Sequence, residues 1–165
     1  MENTSPQLHK VTIDGKMIEV PAGTTILQAA RQIGPEVAPP AMCYYEPLKG
    51  TGGKCRACLV KVAQGSERDP RPMPKLVASC ITPIQDGMVV ENYTNPDVVE
   101  ARKGVVEFLL ANHPLDCPVC DKGGECPLQN QAMSNGQGSS RFEGVKRTFE
   151  KPISISSQVL LDRER

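Results

Sequence analysis

The stretch MCYYEPLKGTGGKCRACLVKV, residues 42–62, sets the reading of the whole chain. It carries Cys43, Cys55 and Cys58, and Cys80 completes the set C-x11-C-x2-C-x21-C, four thiols in all. Between the first two cysteines lie Gly50, Gly52 and Gly53, which let backbone approach closely and turn N–H groups toward sulfur. Lys49, Lys54 and Arg56 stand ready to offset negative charge at such a site. Directly after the C-x2-C pair, Leu59, Val60 and Val62 read as a short strand. A dithiol redox pair works when its first cysteine caps a helix. A strand follows here, so that chemistry is disfavoured.

Upstream, VTIDGKMIEV (11–20) reads as a hairpin around Asp14-Gly15, the dipeptide suited to a tight primed turn. Thr25 with Gln28 forms a capping-box pattern that opens a helix, with Thr24 as the neighbouring alternative, and Gly34-Pro35 stops it. Ile26, Ala29, Ala30 and Ile33 give that helix one apolar face for the hairpin. Downstream, LVASCI (76–81) and MVVE (88–91) supply two more strands, while Gly65–Pro74, with three prolines, is a surface excursion. Asn95-Pro96-Asp97 opens a second helix, with Val98, Ala101, Val105, Phe108 and Leu109 at helical spacing, and His113-Pro114 ends it. After Gln131 the segment MSNGQGSSRFEG is polar, without periodicity, and reads as a linker. The closing ISISSQVLLDRER is strand-like and ends on charges.

A second cysteine group, Cys117, Cys120 and Cys126, has the spacing C-x2-C-x5-C and is one ligand short of four. His113 lies four residues before it, and the only other histidine, His9, falls in a polar amino-terminal stretch as a solvated residue. The chain has 165 residues, with 19 Lys+Arg against 19 Asp+Glu, so nothing in its overall charge favours nucleic acid or an anionic membrane. No apolar run approaches the ~18–20 residues of a membrane span. The start MENTSPQLHK lacks a hydrophobic signal core. There is no phosphate-loop or dinucleotide glycine pattern and no nucleophile triad or carboxylate pair.

Without an export signal the expected compartment is reducing, where clustered cysteines bind metal more often than they form disulfides. Seven thiols and one imidazole make two sets of four ligands. A loop with three cysteines and a fourth on a distant strand follows the logic of plant-type [2Fe–2S] ferredoxins. Three thiols within ten residues form a cup suited to a cubane, with His113 as its fourth ligand. Spacing alone leaves zinc in competition at both sites, held by four thiolates at the first and by three thiolates and an imidazole at the second. His113 also has a plainer reading, a histidine that helps to end a helix beside its negative dipole end.

At this point a resemblance is plain. MCYYEPLKGTGGKCRACLVKV, ANHPLDCPVCDKGGECPLQNQ (111–131) and SSQVLLDRER (156–165) resemble the amino-terminal part of the large iron–sulfur subunit of bacterial respiratory complex I, the G subunits of NADH-quinone oxidoreductases. The resemblance implies an α+β chain: a β-grasp [2Fe–2S] ferredoxin-like domain at 1–94, a small helical histidine–tricysteine [4Fe–4S] domain at 95–133, and a linker and lead-in at 134–165. It implies one [2Fe–2S] cluster on Cys43, Cys55, Cys58 and Cys80, and one [4Fe–4S] cluster on His113, Cys117, Cys120 and Cys126. It implies no catalytic acid, base or nucleophile on this chain. The family is longer and places a further C-x2-C-x2-C cluster motif after a sequence like LLDRER, so this chain, ending at Arg165, reads as a fragment lacking the further clusters.

The implied activity is an electron relay from NADH and FMN toward quinone in a proton-translocating enzyme. The implied partners are the FMN/NADH-binding subunit, the other iron–sulfur subunits and, indirectly, the membrane subunits; nucleic acid is not among them. The implied place is the cytoplasmic side of the cell membrane, as a peripheral part of a membrane-bound complex. The rival within the same chemistry is the diaphorase-side subunit of an NAD-linked hydrogenase or formate dehydrogenase. The rival from another class is a zinc-stabilised interaction module.

Overall fold

A computed structural model describes residues 7–146 and 153–161. The polar start at 1–6 and the terminal charges at 162–165 lie outside them. The chain divides into two compact units, Met1–Val105 and Val106–Arg165.

In the first unit β1 (Leu8–Ile13) and β2 (Lys16–Pro21) form the expected hairpin. Its turn is Asp14-Gly15, both at positive φ, 46° and 80°, as a primed turn requires. α1 (Ile26–Ile33) follows, then β3 (Leu59–Gln64), β4 (Val77–Ala78) and β5 (Met88–Glu91). The five strands form one sheet in the order β2-β1-β5-β3-β4, with β5 parallel to β1 and antiparallel to β3. This is an α+β unit whose last strand sits at the sheet's centre.

Period-two patterning explains which face is covered. Val11 and Ile13, Val60 and Val62, and Met88 and Val90 are buried in one core with Ile26, Ala29 and Ala30 of α1. Burying each large aliphatic side chain there contributes about 1.5–3 kcal/mol relative to exposure. The helix start is fixed reciprocally: the Gln28 N–H donates to Thr25 Oγ1 (3.3 Å) and the Thr25 N–H to Gln28 Oε1 (2.9 Å). The Asp14 carboxylate ties the hairpin turn to the segment after β5. It accepts from the Asn92 N–H (2.7 Å), the Tyr93 N–H (2.9 Å) and the Thr94 hydroxyl (2.6 Å).

Four expectations need correction. The strand predicted over 76–81 is only β4, two residues long. The Ser79 N–H still donates to Cys58 O in the same antiparallel register, but the Ile81 N–H turns back to Ala78 O, so the chain leaves the ladder at Cys80. His9 is no loose tail residue; it lies in β1, half-buried, with Nδ1 3.1 Å from Ile84 O. α2 (Pro96–Ala111) starts as expected, Asn95 Oδ1 accepting from the Asp97 N–H at 2.9 Å, but its buried residues are Val98, Arg102 and Val106. Phe108, assigned to the apolar face, is 83% exposed. The expected linker is helical at its start, because α3 (Pro127–Asn135) continues past Gln131.

The Pro-rich excursion at 65–74 is exposed but tied back on itself. The Gly65 N–H donates to Arg71 O, the Ser66 N–H to Asp69 O and the Met73 N–H to Val62 O, while Asp69 and Arg71 form a two-bond ion pair.

The second unit holds the end of α2, a 3-10 turn (Cys117–Val119), α3 and a short antiparallel pair, β6 (Ile153–Ser154) with β7 (Leu160–Leu161). The segment after α3 is pinned by Arg141 on Glu107 and by Lys146 Nζ on Leu110 O (2.7 Å).

Candidate metal centres

In the first unit the loop between α1 and β3 brings the thiols of residues 43–58 against the turn after β4. Cys58 and Cys80 are buried, with their sulfurs 3.3 Å apart; Cys43 and Cys55 are half-buried. Backbone N–H groups point at sulfur: Gly53 at Cys80 Sγ (3.1 Å), and Lys54 and Cys55 at Cys43 Sγ (3.3 Å each). Gly52 plays a different part from Gly53. It donates to Cys43 O and clears space, since a Cβ there would stand 3.2 Å from Cys80 Sγ with φ at 106°. Leu27 and Ala78 pack with Cys58 and Cys80, and Tyr44 and Ala41 lie against them.

The electrostatics of this pocket ask for positive charge. Burial pushes the Cys80 thiol up to about 11; the Gly53 N–H lowers it, and the neighbouring Cys58 and Cys43 raise it further. Cys43 is also raised by burial, but the N–H groups of Cys55 and Lys54 outweigh that and leave it below the ordinary thiol range. The thiolates form here most readily with a cationic centre among them. The donor chemistry therefore fits a group that brings metal charge and presents sulfur to N–H donors.

In the second unit His113, Cys117, Cys120 and Cys126 line one cavity of about 120 Å³, with Leu110, Pro114 and Leu128 as apolar wall. His113 follows the end of α2, its N–H on Leu110 O at 3.1 Å. The cysteine loop is folded by local bonds: Val119 N–H to Asp116 O, Gly123 N–H to Cys120 O, and Gly124 N–H to Gln129 Oε1. Cys126 caps the start of α3, in the position before Pro127. No cysteine of this group is buried. Three thiols and one imidazole around one apolar cavity fit a cubane's four corners in donor type. Among the described residues of both units, no group of three or more His, Cys, Asp or Glu is arranged around a single ion.

One residue near the first site carries no motif in the sequence. Arg102 of α2 is fully buried; its Nε donates to Ala57 O (3.3 Å) and its Nη2 to Leu59 O (3.4 Å) and Asn92 Oδ1 (2.5 Å). The only signal for it is position, because it lies four residues from both Val98 and Val106.

Comparison with known proteins finds one iron–sulfur family over each cysteine group. The family described as "2Fe-2S iron-sulfur cluster binding domain" matches residues 8–95, and "NADH-ubiquinone oxidoreductase-G iron-sulfur binding region" matches 102–141. The NADH-quinone oxidoreductase G subunit of Streptomyces coelicolor is 57% identical over 156 residues, 94% of this chain and 17% of that protein. The G subunit of Mycobacterium tuberculosis is 52% identical over 97% of this chain and 19% of its own length. The mitochondrial NADH-ubiquinone oxidoreductase 78 kDa subunit of Neurospora crassa is 48% identical over 86% of this chain and 18% of its own. The chain thus spans about a fifth of the length of these curated relatives. Among solved structures, a chain of an NAD+-reducing [NiFe]-hydrogenase in the H2-reduced state matches with a TM-score of 0.70 and 28% identity, over 86% of this chain and 55% of that one. With one cluster-binding family covering over half its residues and its relatives named as G subunits, the chain belongs to the 2Fe-2S iron–sulfur cluster-binding domain family and carries an NADH-ubiquinone oxidoreductase-G iron–sulfur region beside it.

Proposed function

We propose that the chain is the electron-transfer part of a G subunit of NADH:quinone oxidoreductase, holding one [2Fe–2S] cluster on Cys43, Cys55, Cys58 and Cys80 and one [4Fe–4S] cluster on His113, Cys117, Cys120 and Cys126. The observation that carries this reading is the pairing of each family match with a convergent donor set: sulfurs with N–H donors in 8–95, and a cavity lined by one histidine and three cysteines in 102–141. The sheet order, with a parallel β1–β5 pair at the centre and α1 over one face, supports a β-grasp ferredoxin fold for 1–94. In this reading the segment from residue 95 through the end of α3 is the histidine–tricysteine domain.

When bound, such clusters take up and release single electrons. The residues of this chain set the terms. The N–H groups of Gly53, Lys54 and Cys55 favour added negative charge on sulfur, and burial of Cys58 and Cys80 keeps water away. A neutral imidazole at His113 leaves its cluster less negative than four thiolates, which raises its potential. The chain would act as a relay between an FMN/NADH-binding subunit and the quinone-side iron–sulfur subunits, on the cytoplasmic face of a membrane complex. No described helix is long and apolar enough to cross a membrane. The diaphorase side of a hydrogenase is the second reading, favoured by the solved-structure match, but the G subunits share roughly twice its sequence identity.

Anaerobic reconstitution tests the proposal, with iron, sulfide and zinc counted and the reduced sample examined by electron paramagnetic resonance. About six irons and six sulfides per chain with two distinct reduced signals are expected. Two zincs without sulfide would discard electron transfer and leave a zinc-bound module.

A further inference from the structure

Arg102 is a charged side chain with no surface exposure, and the acceptors it bonds carry no charge. They are Ala57 O, Leu59 O and Asn92 Oδ1, with the Tyr93 ring 4.8 Å from its Cζ. Its Nη1 is buried without a hydrogen-bond partner among the described residues. A guanidinium does not shed its proton in a protein, and an isolated buried charge is costly unless an opposite charge answers it. Burial pulls its pKa below the ordinary guanidinium range, and the neighbouring Cys58 and Asp14 offset only part of that.

Its position identifies the missing counter-charge. Ala57 and Leu59 flank Cys58, and Ala57 lies inside the Cys55-x-x-Cys58 loop, so the guanidinium is bonded to the backbone on both sides of a proposed cluster ligand. Building on the ligand assignment above, we infer that Arg102 is the resident counter-charge of the first cluster, a positioning residue that raises its reduction potential through the backbone of the 55–59 segment. A tetrathiolate [2Fe–2S] site is anionic and becomes more so on reduction. A fixed buried cation therefore stabilises the reduced form more than the oxidised one. In a buried setting salt screens this little. The arrangement also accounts for Asn92, an amide where an acid would seem the obvious partner: it holds the guanidinium without cancelling its charge.

The test uses the reconstituted full chain with potentiometric titration followed by the [2Fe–2S] resonance signal. Arg102→Gln should lower the midpoint so that the reduced-to-oxidised ratio at fixed potential falls about tenfold, about 59 mV for a one-electron couple. Arg102→Lys should recover most of the shift. Tyr93→Leu removes packing but not charge; it should cost stability and leave the midpoint in place. If the Gln variant fails to keep its cluster, Asn92→Asp sets a carboxylate against the same Nη2 and must also lower the midpoint. An unmoved midpoint in whichever of these two neutralising variants retains the signal overturns the inference. A wild-type chain without any [2Fe–2S] signal instead overturns the ligand assignment beneath it.

Discussion

The two cysteine groups lie in opposite kinds of surroundings. Around the first, a sheet and α1 close a core of twelve buried residues in which no cysteine takes part, and Cys58 and Cys80 sit in a second small cluster beside it. Around the second, neither the 3-10 turn nor α3 contains a buried residue, and Cys117 is exposed. In the first unit a cluster would be the guest of a core already built. In the second it would be the core. Metal binding and folding are coupled wherever a site cannot preform, and the coupling is expected to be far stronger in the second unit.

The largest effect that could break this contrast is expected from Cys126→Ala. It should remove about four of six irons and erase the [4Fe–4S] signal while the [2Fe–2S] signal stays. Loss of both signals together would show that the two sites assemble as one. Iron removal by anaerobic chelation comes next: amides of Val11, Ile13, Val60 and Val90 should keep slow hydrogen exchange while those of α3 exchange freely. A sheet that melts on chelation would erase the distinction.

Gly52→Ala sharpens the comparison within the first unit, because its Cβ would meet Cys80 Sγ and Ile81 Cγ2 at 3.2 Å with φ at 106°. A loss of about 1–3 kcal/mol is expected, together with a lower [2Fe–2S] yield and an unaltered second cluster. Gly138→Ala, with nothing within 4 Å of its added Cβ, is the control. Thr25→Ala should cost about 1 kcal/mol in thermal or denaturant unfolding, through the lost capping box, and leave both clusters in place.

The smallest effect is a pH dependence in the 65–74 loop. The Arg71 side chain and its N–H hold the Asp69 carboxyl at about 2. A carboxylate depressed in the folded state stabilises above its unfolded value of about 3.9, and that contribution is lost as pH falls from there through about 2. A carboxyl titration by NMR should show Asp69 rising toward the ordinary range in Arg71→Ala, with neither cluster signal changed.

Local chemistry explains what can be read in advance. The Asp14-Gly15 turn, the Thr25/Gln28 box and the Asn95 cap each depend on residues within a few positions of one another, and each is legible in the sequence. What escapes it is set by distant partners. His9, for one, is drawn into β1 and held by Ile84 O, 75 residues away. Hydropathy places Phe108 on the buried face of α2 and passes over Arg102, because an apolar scale takes no account of a guanidinium that finds three acceptors. The candidate ligands are legible from spacing alone, but the N–H donors of Lys54 and Cys55 depend on the loop's conformation.

The central β1–β5 pair and the Asp14 latch on Asn92, Tyr93 and Thr94 also set an order of events as the chain is made. The hairpin and the loop with Cys43, Cys55 and Cys58 leave the ribosome well before β5 exists. Until residue 94 has emerged, β1 lacks its inner neighbour, and the β1–β2 and β3–β4 pairs have no strand between them. Such long-range pairing is the slow step of folding. The sheet can therefore be joined across its middle only after its last strand has been made.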